Sequence, residues 1–109
     1  MNKVIILGNL TAEPNVTYTT SNDPLCVCKM TVAVNEGYKD NKQTQFVPVT
    51  VFGRTAENCE RYLTKGSKVC VSGKIQTGSY ENKEGKKVYT TEVIAENIEF
   101  LGGSDQRLP

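Results

Sequence analysis

Gln45-Phe46-Val47-Pro48-Val49-Thr50-Val51-Phe52 alternates so regularly that it reads as one extended strand. Successive side chains of a strand point to opposite sides. Val47, Val49 and Val51 therefore share one face, and Phe46, Pro48, Thr50 and Phe52 share the other. The valine face belongs to a core, which leaves two aromatic rings on the opposite side. Aromatics displayed on a sheet beside basic and hydroxyl groups can stack unpaired bases, because every base has a π-face whatever its sequence. A sheet covered on both sides, with the Phe rings in a second core or an oligomer interface, explains this one strand equally well. The rest of the chain must decide.

Upstream, Cys26, Cys28, Met30, Val32 and Val34 alternate with Val27, Lys29, Thr31, Ala33 and Asn35 after the turn cluster Ser21-Asn22-Asp23-Pro24, which predicts a long strand. Lys3 to Leu10 is β-rich, and Val16 to Thr20 resumes it beyond Ala12-Glu13-Pro14-Asn15, giving a bent first strand. Gly37 to Thr44 is polar apart from Tyr38 and reads as a loop. Downstream, Ala56, Cys59, Tyr62 and Leu63 recur near helical spacing, with Thr55 placed to cap the start, Gly66 just past the end, and Tyr62 on the apolar side, expected in the core. Lys68 to Thr77 alternates again. Glu81 to Lys87 then turns the chain into Val88 to Ala95, a long hairpin with a basic tip, and Ile98 to Leu101 forms a separate short β-like end.

The order strand, strand, strand, helix, strand, strand predicts an all-β OB fold: a five-stranded antiparallel Greek-key barrel with one short helix between strands 3 and 4. An SH3-like barrel would lack the helix at that point, and a ferredoxin-like fold would need two. The barrel is expected over residues 1–103, with residues 104–109 a short polar stub.

With 109 residues, the chain has room for one core and none for a separate catalytic domain. Thirteen Lys and Arg against twelve Asp and Glu leave a formal charge of +1, so attraction to a polyanion must come from local clustering. Lys39, Lys42, Arg54, Lys65, Lys68, Lys83, Lys86 and Lys87 are candidates, and most of the glutamates fall in other stretches. Four cysteines without a histidine or a C-x-x-C pair read as small apolar core groups, and neither a metal nor a cofactor is expected. The N-terminus lacks the apolar core and cleavage site of a secretory signal. No apolar run approaches the roughly 20 residues that span a membrane. A cytoplasmic, nucleoid-associated protein with reduced thiols is the expectation.

Several separate stretches, in order, carry a resemblance: Asn2-Lys3-Val4-Ile5-Ile6-Leu7-Gly8-Asn9-Leu10, Val51-Phe52-Gly53-Arg54-Thr55-Ala56-Glu57, Tyr62-Leu63-Thr64-Lys65-Gly66-Ser67, and Tyr89-Thr90-Thr91-Glu92-Val93. From Asn2 to Gly103 the chain resembles the bacterial single-stranded DNA-binding proteins. That resemblance implies base stacking by aromatics, often Trp in the family, at positions that here carry Tyr38, Phe46, Phe52 and Tyr80, with Tyr18 matching a further one near the first turn. It implies phosphate contacts by Lys3, Arg54 and Lys65, and by Lys74, Lys83, Lys86 and Lys87 of the hairpin. Gln76, Gly78 and Ser79 stand where the family commonly has basic residues, which implies weaker binding or a shallower salt slope.

Similar proteins usually form homotetramers, and commonly continue into a Gly-rich segment and an acidic tip that recruits replication and repair proteins. The stub Ser104 to Pro109 has no such tip, so the chain reads either as tail-truncated or as a short phage-like or paralogous form. The implied function is sequence-tolerant binding of single-stranded DNA in replication, recombination and repair. The alternative is an OB-fold protein-interaction subunit of the primosomal-adaptor type, using the aromatic face for a protein partner. An enzyme has little support, since the chain carries no His, no phosphate-cradling Gly motif and no recognisable nucleophile with a base.

Overall fold

The computed structural model describes residues 1–37 and 39–101. Its strands are β1 (Val4–Leu10), β2 (Asn15–Tyr18), β3 (Cys26–Glu36), β4 (Gln43–Phe52), β5 (Lys68–Glu81) and β6 (Lys87–Phe100). The helix α1 (Gly53–Tyr62) lies between β4 and β5, and a 3-10 turn (Lys39–Asn41) between β3 and β4. The strands join in the order β1-β5-β6-β4-β3-β2. β1 also pairs with β3, through Asn9 with Ala33 and Leu10 with Val32, and this closes the sheet into a barrel. β1 and β2 are the two halves of the bent first strand, both antiparallel to β3. The expected OB fold and the place of its helix are both present. One junction departs from the antiparallel rule: β4 meets β6 in a short parallel pairing of Val49 with Val93 and Thr50 with Ile94.

The core is the inward half of each alternation. Cys26, Cys28, Met30 and Val32 of β3, Val49 and Val51 of β4, Val69 and Val71 of β5, and Val93, Ala95 and Ile98 of β6 are all buried. Each fully buried valine contributes about 1.5 to 3 kcal/mol relative to exposure. Ala56, Cys59 and Leu63 of the helical segment complete it. Cys28 and Cys59 hydrogen-bond thiol to thiol; that bond together with burial pushes the Cys59 thiol far up, while the same bond lowers Cys28 against its burial. Cys26, Cys28 and Cys59 fill space as small core groups, but Cys70, which the sequence also put in the core, is only half-buried and stands on the outer face opposite Leu7 and Glu99, because its neighbours Val69 and Val71 take the inward positions of β5.

Four further details differ from the sequence expectations. Thr55 does not cap α1: extended Phe52 (φ −121°, ψ 157°) is the N-cap without a side-chain bond, and Gly53 turns the corner at φ +74°, a conformation that costs Gly little. At the other end Leu63 is the C-cap, its N–H donating to the Cys59 carbonyl, while Gly66 lies in the following turn, where Ser67 N–H donates to the Thr64 carbonyl.

Tyr62 is not core. It is 60% exposed and rests on Phe100 with ring centroids 6.2 Å apart. Three residues after Cys59 it sits about 60° round the helix from the buried line, at the margin of the apolar stripe.

Finally, Ile98 to Phe100 is not a separate strand. β6 runs through unbroken, but Ser72 pairs with Asn97 and Gly73 with Ala95, so Glu96 is an extra residue that flips the inward parity from Val93 and Ala95 to Ile98. Gly73 faces the bulge, where a Cβ would run into the Ile94 carbonyl oxygen. A change of parity within one strand looks, in sequence, like the end of one strand and the start of another.

Candidate nucleic-acid interface

Side chains of directly paired residues share a face of a sheet, so the ladders dictate what stands beside the two phenylalanines. On the outer face of β4, Phe46 lies opposite Ala33, Pro48 opposite Thr31, Thr50 opposite Lys29 and Phe52 opposite Val27. The parallel junction carries this face onto β6 through Thr50 and Ile94. From there it passes to β5, where Lys74 pairs with Ile94, Gln76 with Glu92, Gly78 with Thr90 and Tyr80 with Val88. Phe46 (65% exposed), Phe52 (43%) and Tyr80 (57%) therefore stand on one continuous outer face, with Lys29 and Lys74 between them.

A groove of about 680 Å³ crosses the middle of this face, lined by Glu13, Lys29, Thr31, Pro48, Thr90 and Thr91 among others. Its floor holds the exception to the alternation. Thr50 is 4% exposed despite facing outward, because its hydroxyl donates to Glu92 Oε1 at 2.5 Å. The bond ties β4 to β6 at their parallel junction and gives the groove a polar, hydroxyl-rich base. Rings that stack planar groups, cations at the flanks and hydroxyls between them suit a chain of bases and phosphates.

Several of the predicted basic residues lie around this face. The Asn2 side chain clamps the Ile75 backbone, donating to its carbonyl and accepting from its N–H, both at 2.9 Å, and so lays Lys3 alongside Lys74. Arg54 is exposed on the first turn of α1, two residues beyond Phe52. Lys65 follows the helix, its backbone N–H on Glu13 Oε2 at 3.1 Å, at the groove's rim. Lys83 and Lys86 belong to the hairpin turn, where the Asn82 side chain accepts from the backbone N–H groups of Glu84 and Lys86, each at 2.9 Å; Lys87 opens β6 opposite Glu81, on the reverse side of the hairpin from Tyr80.

Tyr18 does not join the others. It pairs with inward-facing Cys26 at the sheet margin and stands over α1 beside Glu57, Glu60 and Arg61, on the opposite side from Phe52. A hydrogen bond with Cys26, with the negative charge of Glu60 adding to it, raises its phenol above the usual tyrosine value. Tyr38 lies outside the described residues. Lys29 and the Thr50–Glu92 bond were missed in the sequence; Lys29 is legible there as the only cation among the outward positions of its alternation, whereas the bond joins residues 42 apart and leaves no local signal.

The barrel, its helix and the aromatic outer face define an OB-fold module with an open sheet surface. The chain belongs to the single-strand binding protein family, whose model matches residues 1–101. It is 40% identical over 114 residues to a single-stranded DNA-binding protein of Bacillus cereus, covering 98% of this chain and 66% of that protein. It is 42% identical over 103 residues to single-stranded DNA-binding protein 2 of Clostridium acetobutylicum (93% and 77%), and 42% identical over 104 residues to single-stranded DNA-binding protein 1 of Staphylococcus aureus (93% and 65%). The chain thus spans a little under two thirds of the length of several of the curated relatives it matches.

Proposed function

We propose that this chain binds single-stranded DNA with little sequence preference and so protects and organises exposed strands in replication, recombination and repair. The observation that carries the reading is the presence of Phe46, Phe52 and Tyr80 on one outer face with Lys29 and Lys74 between them. Stacking supplies affinity to any base, and the cations at the margins follow the phosphates. The role involves no chemistry and would place the protein on the nucleoid in the cytoplasm. The relatives' names point the same way. Lys3, Arg54, Lys65, Lys83 and Lys86 are assigned to phosphate contacts at the rim and Lys87 to one on the back of the hairpin, and Tyr38 remains a stacking candidate by its place in the sequence. Tyr18 is the weakest of the assigned stackers, because it stands over α1, apart from the face that the other rings share, with two glutamates and one arginine around it.

A homotetramer is part of the proposal. β1 exposes Ile5 (65%) and Leu7 (49%) side by side on the outside of the barrel, and an apolar pair of this kind is well suited to a neighbouring copy. Sedimentation of the free protein tests it, with a monomer as the contrary result.

The binding test is a titration of labelled oligo-dT and of a duplex of equal length at low and high salt. Tight binding to oligo-dT with little to duplex supports the proposal. Weak binding to both refutes it and leaves the aromatic face to a protein partner.

A further inference from the structure

β5 and β6 outrun the barrel. β1 pairs with β5 only over Lys68 to Gly73, and β4 meets β6 only at Val93 and Ile94, yet the β5–β6 ladder continues out to Glu81 with Lys87. From Gln76 to Thr91 the hairpin is therefore a free two-stranded arm, roughly 20 Å long at about 3.4 Å per residue. An arm has two faces. Tyr80 with Val88 and Gly78 with Thr90 continue the aromatic sheet face, while Thr77 with Thr91, Ser79 with Tyr89 and Glu81 with Lys87 look the other way.

Tyr89 on that reverse face is the most exposed aromatic among the described residues, at 74%. Lys87 Nζ lies 5.6 Å from its ring centroid. Hydroxyls of Thr77, Ser79 and Thr91 flank it, and Glu81 is the one acidic group on this side of the arm. So bare a ring does little for packing, and strand propensity alone does not call for a cation held over it. Ring, cation and hydroxyls repeat the chemistry of the sheet face. At the arm's end Lys83 and Lys86 sit in the turn that joins the two faces.

We infer that Tyr89 and Lys87 form a second stacking site for single-stranded nucleic acid, on the reverse face of the arm. A base stacks on Tyr89, Lys87 meets its phosphate, and a strand leaving Tyr80 passes around the arm under the turn lysines. This rests on the proposed function, and it predicts a longer footprint than the sheet face alone would give.

The test compares wild type with Tyr89→Ala, Tyr89→Phe and Lys87→Gln on oligo-dT of about 5 and about 16 nucleotides, within the range of sites held by one OB fold. Tyr89→Ala should weaken the longer oligomer about tenfold and leave the shorter one unchanged, with Tyr89→Phe close to wild type. Lys87→Gln should lower the salt slope on the longer oligomer by about 0.7. Unchanged affinity of Tyr89→Ala for the longer oligomer, or equal losses on both lengths, overturns the inference. So does a change in sedimentation of the DNA-free Tyr89→Ala protein, which would give the ring to a second copy of the chain. Failure of wild type to bind either oligomer would instead defeat the parent proposal, whatever the variants do.

Discussion

Replacing Phe46 and Phe52 together with Ala separates the two things an aromatic residue can do here. Both rings lie on the outer face, 65% and 43% exposed, so neither is deeply embedded in the core. Prorating the 1.5 to 3 kcal/mol of a fully buried large side chain by the buried fraction puts the cost to folding at about 1 kcal/mol for Phe46 and somewhat more for Phe52. A domain of ordinary stability survives that. Binding should suffer far more. A stacked base is worth about 1 to 3 kcal/mol by alanine substitution. Six residues of extended strand hold the rings roughly 20 Å apart, far enough for their losses to add. The double variant should therefore lose about 2 to 6 kcal/mol of binding free energy, or roughly 30-fold to over 10,000-fold in Kd. Fluorescence anisotropy with labelled oligo-dT measures this across a salt series, with far-UV circular dichroism as the check on folding. The slope of log Kd against log salt should stay as in wild type, since no cation has been removed. A Kd within twofold of wild type in a folded variant would refute stacking on this face, and a reduced salt slope would show the rings acting through the cations beside them.

Val51→Ala, at a fully buried position, should cost about 1 to 3 kcal/mol and appear as a lower urea midpoint with an unchanged m-value; an unaltered midpoint would mean the β4 core face is misassigned. Gly73→Ala drives a Cβ into the Ile94 carbonyl at the bulge and should cost about 3 kcal/mol or more, whereas Gly66→Ala, with open space around it, should cost only the strain of its φ of +92°; equal denaturation midpoints for the two would count against the bulge geometry. Lys74→Gln should reduce the salt slope for oligo-dT by about 0.7 without changing the ratio of oligo-dT to oligo-dC affinity, and an unchanged slope would remove Lys74 from the phosphate path. Ultraviolet titration should show one tyrosine ionising above the usual range and lost in Tyr18→Phe; Glu60→Gln, by removing a negative charge that disfavours the phenolate, should move it down, and no movement would exclude that charge as a cause.

The two-faced character of Gln45 to Phe52 was legible because alternation is covalent: whatever surrounds the strand, Val49 and Val51 cannot share a side with Phe46 and Phe52. The inward set Cys26, Cys28, Met30 and Val32 was legible for the same reason, and so was the existence of the helix from Ala56, Cys59 and Leu63. Features that depend on where one strand lies against another were not. Thr50 looked like an outward hydroxyl until Glu92 covered it. The ends of α1 and the exposure of Tyr62 turned on the corner at Gly53 and the position of Phe100. β6 looked broken because one bulged residue reverses its parity.

The proposed site divides along the same line. Sequence alone determined which residues were aromatic, which were basic, and which of them had to point away from the valines on their own strand. Only the tertiary structure decided that Phe46 and Phe52 of β4 share a surface with Tyr80 of β5, that Tyr18 turns to the other side over α1, and that Tyr89 stands on the back of the arm. The reason is physical. A strand's period fixes relative orientation within one segment, whereas the common face is set by closure of the barrel, through the β1–β3 pairing and the parallel contact of β4 with β6 between residues far apart in the chain.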